Sequence, residues 1–130
     1  MRNDVKSNVS IVESIAAASY GAGAENGAAY DHAGASSVSF FISVGTVGSS
    51  ATVDMKTQYS DNNSDWTDYG ASDEAGNDNA ITQITAAGSA VLHVPNPRGR
   101  YSRVVVTVAT AACVLGVVGV AGPLRHVAPA

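Results

Sequence analysis

Residues 55–70 read MKTQYSDNNSDWTDYG and gather Asp61, Asp65, Asp68, Asn62, Asn63, Trp66, Tyr59 and Tyr69. Oxygen-rich clusters of this kind can hold calcium, and aromatic rings beside polar side chains can stack on sugars. The calcium reading can be tested against the EF-hand loop, which needs glycine at its sixth position and glutamate at its twelfth. Asp61, Asn63 and Asp65 fit the first three ligand positions, but Trp66 and Ser72 stand where the glycine and glutamate belong. The EF-hand match fails, and a different calcium site on Asp61, Asp65, Asp68 or Asp73 is what remains of the metal reading. The sugar reading needs Tyr59, Trp66 and Tyr69 on one surface. The simplest reading is structural. Residues 61–64 (DNNS) form a hairpin turn, because Asn and Asp tolerate left-handed geometry and bond their own backbone. Trp66 then covers one end of the core, and the aspartates are solvated.

Other chemistry finds little support. His32, His93 and His126 are far apart and no two have metal-ligand spacing. The single cysteine, Cys113, lies among Ala and Val, where a thiol stays neutral and behaves as a small core residue. One cysteine allows no intrachain disulfide and no multi-thiolate zinc site. There is no G-x-S-x-G elbow, no phosphate-binding loop and no dinucleotide fingerprint. The expectation is a protein without catalytic function and without a cofactor.

Composition agrees. The net charge is −4, and the seven Lys and Arg are scattered except for Arg98, Arg100 and Arg103. A nucleic-acid binder would carry a basic face. The N-terminal MRNDVKSNVS has no apolar region, so no signal peptide is expected. The apolar run 104–121 approaches the length of a membrane span, but it is rich in Val and Thr and breaks at 109–112. It reads better as two adjacent core strands. The expected protein is soluble, free of membrane and made in the cytoplasm.

The elements that must position these residues are strands. The chain has 130 residues, enough for one domain with its own core. No segment repeats apolar residues at helical spacing. Strands are expected at 8–16, 37–44 and 51–59, with 66–69 as a short return strand, and 80–85 and 89–94 as two short strands or one bent strand. Residues 101–108 and 112–121 are expected to pair as a closing hairpin. Residues 17–36 read as mostly loop with an extended piece at 28–31, and 45–50 and 70–79 read as turn and loop. In 37–44, Val38, Phe40, Ile42 and Val44 face one way. In 51–59, Ala51, Val53, Met55 and Tyr59 face inward, while Thr52, Asp54, Lys56 and Gln58 face water. This predicts a single-domain all-β sandwich, jelly-roll-like or immunoglobulin-like, spanning 8–121. Extended arms at 1–7 and 122–130 flank it, and a small barrel is the alternative. Phe41 falls on the polar side of its strand, where a large apolar group needs a partner surface unless residues 17–36 cover it.

The order NVSIVESIA, SSVSFFISVG, TVDMKTQYSDNNSDWTDYG, GRYSRVVVTVA and LRHVAPA resembles a group of small proteins that tailed bacteriophages and related prophages encode beside the major capsid protein. The resemblance covers almost the whole chain. It implies a virion structural protein, specifically a capsid cement or decoration protein on the outer surface of the head. The implied partners are the major capsid protein and further copies of the chain, as a trimer first and a dimer next. A carbohydrate-binding surface module and a head–tail connector or tail component are the alternatives. The interface candidates are Phe41, Tyr59, Trp66, Tyr69, Arg98, Arg100, Arg125 and His126.

Overall fold

The computed structural model describes residues 9–31, 35–69, 77–95 and 97–124. The N-terminal arm, His32, Asp73 and the interface candidates Arg125 and His126 lie outside the described residues. The described residues form ten strands: β1 (Ser10–Tyr20), β2 (Gly23–Asn26), β3 (Tyr30–Asp31), β4 (Ala35–Val47), β5 (Thr52–Ser60), β6 (Thr67–Asp68), β7 (Ala80–Ile84), β8 (Gly88–Val94), β9 (Tyr101–Ala109) and β10 (Cys113–Leu124). All are antiparallel to their partners and form two sheets. The first has the order β1-β10-β4-β8. The second has β9 and β5 at its centre, with β2 and β3 sharing the edge beside β9, and β6 and β7 sharing the edge beside β5. Counting the shared edges once, each sheet is four strands wide.

The alternation of apolar residues decides which faces meet. Val38, Phe40, Ile42 and Val44 of β4 are buried against Val53 and Met55 of β5, Val104, Val106 and Val108 of β9, and Leu115 and Val117 of β10. Leu92 and Val94 of β8 and Ile15 of β1 complete this core. It is the expected β-sandwich.

β2 to β3, β5 to β6 and β6 to β7 stay within the second sheet. β1 to β2, β3 to β4, β4 to β5, β7 to β8, β8 to β9 and β9 to β10 all cross between sheets. An immunoglobulin sandwich keeps its first two strands in one sheet, so this order is of the jelly-roll type. The expected hairpin of the last two strands is therefore corrected: β9 and β10 lie in opposite sheets, each flanked on both sides by other strands. Thr110, at φ 79°, and a bond from the Ala111 N–H to the Ala109 carbonyl turn the chain across the sandwich. The ATAA sequence there lacks the Asn-Gly or Asp-Gly pair that closes two-residue hairpins.

Further boundaries shift. β1 continues to Tyr20 because two bulges, between Glu13 and Ile15 and between Ile15 and Ala18, let it bend along β10. Residues 17–36, read mostly as loop, thus supply the end of β1, all of β2 and β3, and the start of β4. β4 runs through Gly45 to Val47, and β10 takes in Gly122 to Leu124 of the expected tail. β7 and β8 lie in different sheets. The β4–β5 corner packs on the β9–β10 corner: the Gly48 N–H donates to the Ala112 carbonyl at 3.1 Å. A Cβ at Gly48 would stand 2.6 Å from that carbonyl oxygen, so the approach requires glycine.

Candidate functional site

The acidic stretch that opened the sequence reading is built around Asn62. Its Oδ1 accepts the Ser64 N–H at 2.9 Å, the Asp65 N–H at 2.8 Å and the Ser60 hydroxyl at 3.0 Å. Its Nδ2 donates to Asp65 at 2.9 Å, and Asn63 takes φ 60°. These oxygens are engaged in shaping the turn. Among the described residues, no group of three or more His, Cys, Asp or Glu could hold a metal ion.

The three aromatics do not share a surface. Tyr69 is the buried one, at 3% exposure, tilted against Tyr59 with ring centres 4.9 Å apart. Its hydroxyl accepts the Arg98 N–H at 2.9 Å and lies 3.4 Å from Ser102 Oγ. Trp66, expected over the core, instead lies on the outer face of the second sheet with the Arg103 guanidinium 4.3 Å from its ring centre. Strand alternation explains the swap: from Trp66 to Tyr69 is an odd step, so the two rings point to opposite faces. A sugar platform of Tyr59, Trp66 and Tyr69 is not assembled.

Trp66 begins a polar ladder across that outer face. Arg103 Nε donates to Gln58 Oε1 at 2.9 Å, Gln58 Nε2 donates to Asp68 at 2.6 Å, and Lys56 Nζ donates to Asp68 at 3.2 Å. Gln58, expected in water, is covered by these neighbours and only 9% exposed. The Gln58 hydrogen bond holds the Asp68 carboxyl below its ordinary value; burial opposes it, and the hydrogen bond and charge of Lys56 add to the lowering. Burial lowers the Arg103 value. At one end of this sheet the exposed Arg100 pairs with Asp31 at 2.8 Å, which raises the arginine's value, and lies 5.4 Å from the Tyr101 ring centre. Arg98 is exposed beside it.

The outer face of the first sheet is different in kind. Its four strands carry one Asp, Glu, Lys or Arg, which is Glu13. Strand register sets the outward side chains in rows. Glu13, Val118, Phe41 and Val91 are successive partners across β1, β10, β4 and β8. Phe41 is 47% exposed, Val91 43% and Val118 40%, so they form an apolar ridge. The next row in one direction is Ile11, Val120, Ser39 and His93, with Ser39 Oγ and His93 Nδ1 2.6 Å apart. The next row in the other direction is all small: Ala17 beside Gly116, then Ser43 and Ser89. Val114, itself 41% exposed, lies over Gly45 beyond it. The small row is the floor of a groove of about 420 Å³ that Phe41, Val118, Val114 and Glu13 help to line. The described residues 17–31 do not cover this face: they extend the same sheet through β1 and then cross to the other in β2 and β3.

Among the described residues, Phe41 is thus the one sequence candidate on this face. Ile11, Val91, Val114 and Val118 were missed. A signal existed, because 113–121 is apolar at both odd and even positions, and a strand apolar on both sides needs both faces covered. Read as a core strand, the run accounted for one face only. No helix among the described residues is long and apolar enough to cross a membrane. Compared with known proteins, the chain matches no family model, no curated protein and no solved structure.

Proposed function

We propose that this protein is a capsid cement protein, held on the outside of a tailed-phage head, where it stabilises the shell by bridging neighbouring subunits. The observation that carries the reading is the nearly uncharged outer face of the first sheet, with Phe41, Val91, Val114 and Val118 uncovered. Antiparallel sheets usually turn a polar face to water, and an apolar patch of this kind marks a protein contact. The sequence resemblance supports the same role. The jelly-roll order adds a fold-level analogy, since viral capsid domains use it, as do lectins and cupins.

Packaged DNA loads a shell from inside. A protein that buries surface across a seam raises the cost of separating the subunits, and many weak bridges on one lattice add through multivalency. Copy number on purified virions, measured by mass spectrometry against the major capsid protein, tests the reading. One copy per capsid subunit, or a simple fraction of that, is the expected result. A dozen copies or fewer would point to a connector or tail component, and absence from the particle would overturn the virion assignment.

A further inference from the structure

We infer that the outer face of the first sheet is covered by the same face of a second copy, in a two-fold pair. The inference rests on the reading of that face as an assembly surface and names its occupant. Three observations select a second copy.

The first is shape. The ridge of Val118, Phe41 and Val91 and the floor of Gly116, Ser43 and Ser89 are neighbouring rows, two residues apart along each strand. A two-fold axis lying across the strands, midway between these rows, places each ridge over the partner's floor. Phe41 then stands over Ser43 of the partner subunit, and Val118 over the partner's Gly116. A two-fold contact demands this self-complementarity, in which a patch fits its own image.

The second is charge. Apart from the rim residue Glu13, these strands offer no Asp, Glu, Lys or Arg to a charged partner. An equally neutral surface is the matching one, and the second copy supplies it.

The third is area. Four strands at a spacing of about 4.8 Å and four rows about 6.7 Å apart make a face of roughly 500 Å². Two copies would bury about 1,000 Å² together, the lower bound for a specific interface. That suits a reversible dimer. It also leaves the second sheet, with its polar ladder, free to meet another protein.

Sedimentation velocity on the full chain, from micromolar to submillimolar concentration, tests the pairing. The expected result is a monomer–dimer equilibrium. Phe41→Glu enters the interface twice, so about tenfold per site weakens the dimer by about a hundredfold, with circular dichroism unchanged and melting unchanged at concentrations where both chains are monomeric. Thr107→Glu, on the outer face of the second sheet, leaves the dimer intact. Register is read by mixing Phe41→Cys with Ser43→Cys and adding a short bis-maleimide, since Cys113 is 1% exposed. The mixture cross-links in higher yield than either variant alone.

A wild-type chain that stays monomeric throughout, forms trimers only, or pairs undiminished as Phe41→Glu overturns the inference. Equal cross-linking in the mixture and the single variants overturns the register. Failure here is distinct from failure of the cement reading: a monomer found in stoichiometric amounts on virions removes only the pairing, and a dimer absent from virions removes only the virion role.

Discussion

The outer faces of the two sheets are built to opposite rules. The strands of the second sheet carry Glu25, Asp31, Asp54, Lys56, Asp68 and Arg103, against Glu13 alone in the first. On the second sheet the side chains satisfy one another: Trp66 under Arg103, Arg103 to Gln58, Gln58 and Lys56 to Asp68. Such a face is complete in water. On the first sheet Phe41, Val91 and Val118 form a row whose outer side is exposed and uncovered by any of the described residues. Both sheets bury apolar inner faces in one core, so the difference lies outside it. It teaches that the charged side chains and the exposed apolar ones have been kept on separate surfaces.

Adjacent aromatics test this separation most sharply. Phe40 is fully buried and Phe41 is 47% exposed on the opposite side of the same strand. Phe40→Ala is expected to cost about 3–5 kcal/mol, read by urea unfolding. Phe41→Ala should change the stability of the isolated monomer by less than about 1 kcal/mol while weakening self-association. Equal costs at the two positions would mean that the outer face is covered within the chain.

A second contrast sits at the turn. Tyr69→Ala empties a core site and is expected to cost about 3 kcal/mol or more. Trp66→Ala removes a cation–π contact and partial burial, for about 1 kcal/mol. A larger loss from Trp66→Ala would place that ring in the core after all. Between these lies the corner that joins the sheets. Gly48→Ala forces a Cβ against the Ala112 carbonyl and is expected to cost about 1–3 kcal/mol, read as a lowered urea midpoint.

The smallest effect is electrostatic and belongs to the second sheet alone. Asp68 has a lowered value in the folded chain. Its stabilising contribution is therefore complete above the ordinary 3.8 and is lost as pH falls through the lower folded value. Asp68→Asn should flatten the acid side of the stability profile slightly, because the side chain is 55% exposed. Self-association through the first sheet should be unchanged by that substitution.

Much of the fold was legible. Val38, Phe40, Ile42 and Val44 announce a strand and its buried face, because a pleated strand alternates its side chains whatever it pairs with. The DNNS turn was legible because Asn62 makes it with its own backbone. The partners of β9 and β10 were not, since an apolar run carries no mark of its neighbour and ATAA resembles a short hairpin link. Nor was the split of Tyr69 from Trp66, which depends on where β6 starts. On the first sheet's outer face Phe41 stood out as a large ring with Ser39 and Ser43 two residues to either side; Val91, between Ser89 and His93, has the same pattern with a smaller side chain, and Val118 sits among other apolar residues.

By itself the sequence determined the strand content, the two-faced β4 and a chain with few charges in its apolar segments. These follow from local chemistry: side-chain alternation, turn-forming residues and composition. Only the tertiary structure decided that Glu13, Val118, Phe41 and Val91 share a row, and that the charged residues collect on the other sheet. The physical reason is that register and sheet membership are set by contacts among segments far apart in the chain. A surface patch is made from four strands at once, and no single strand records it.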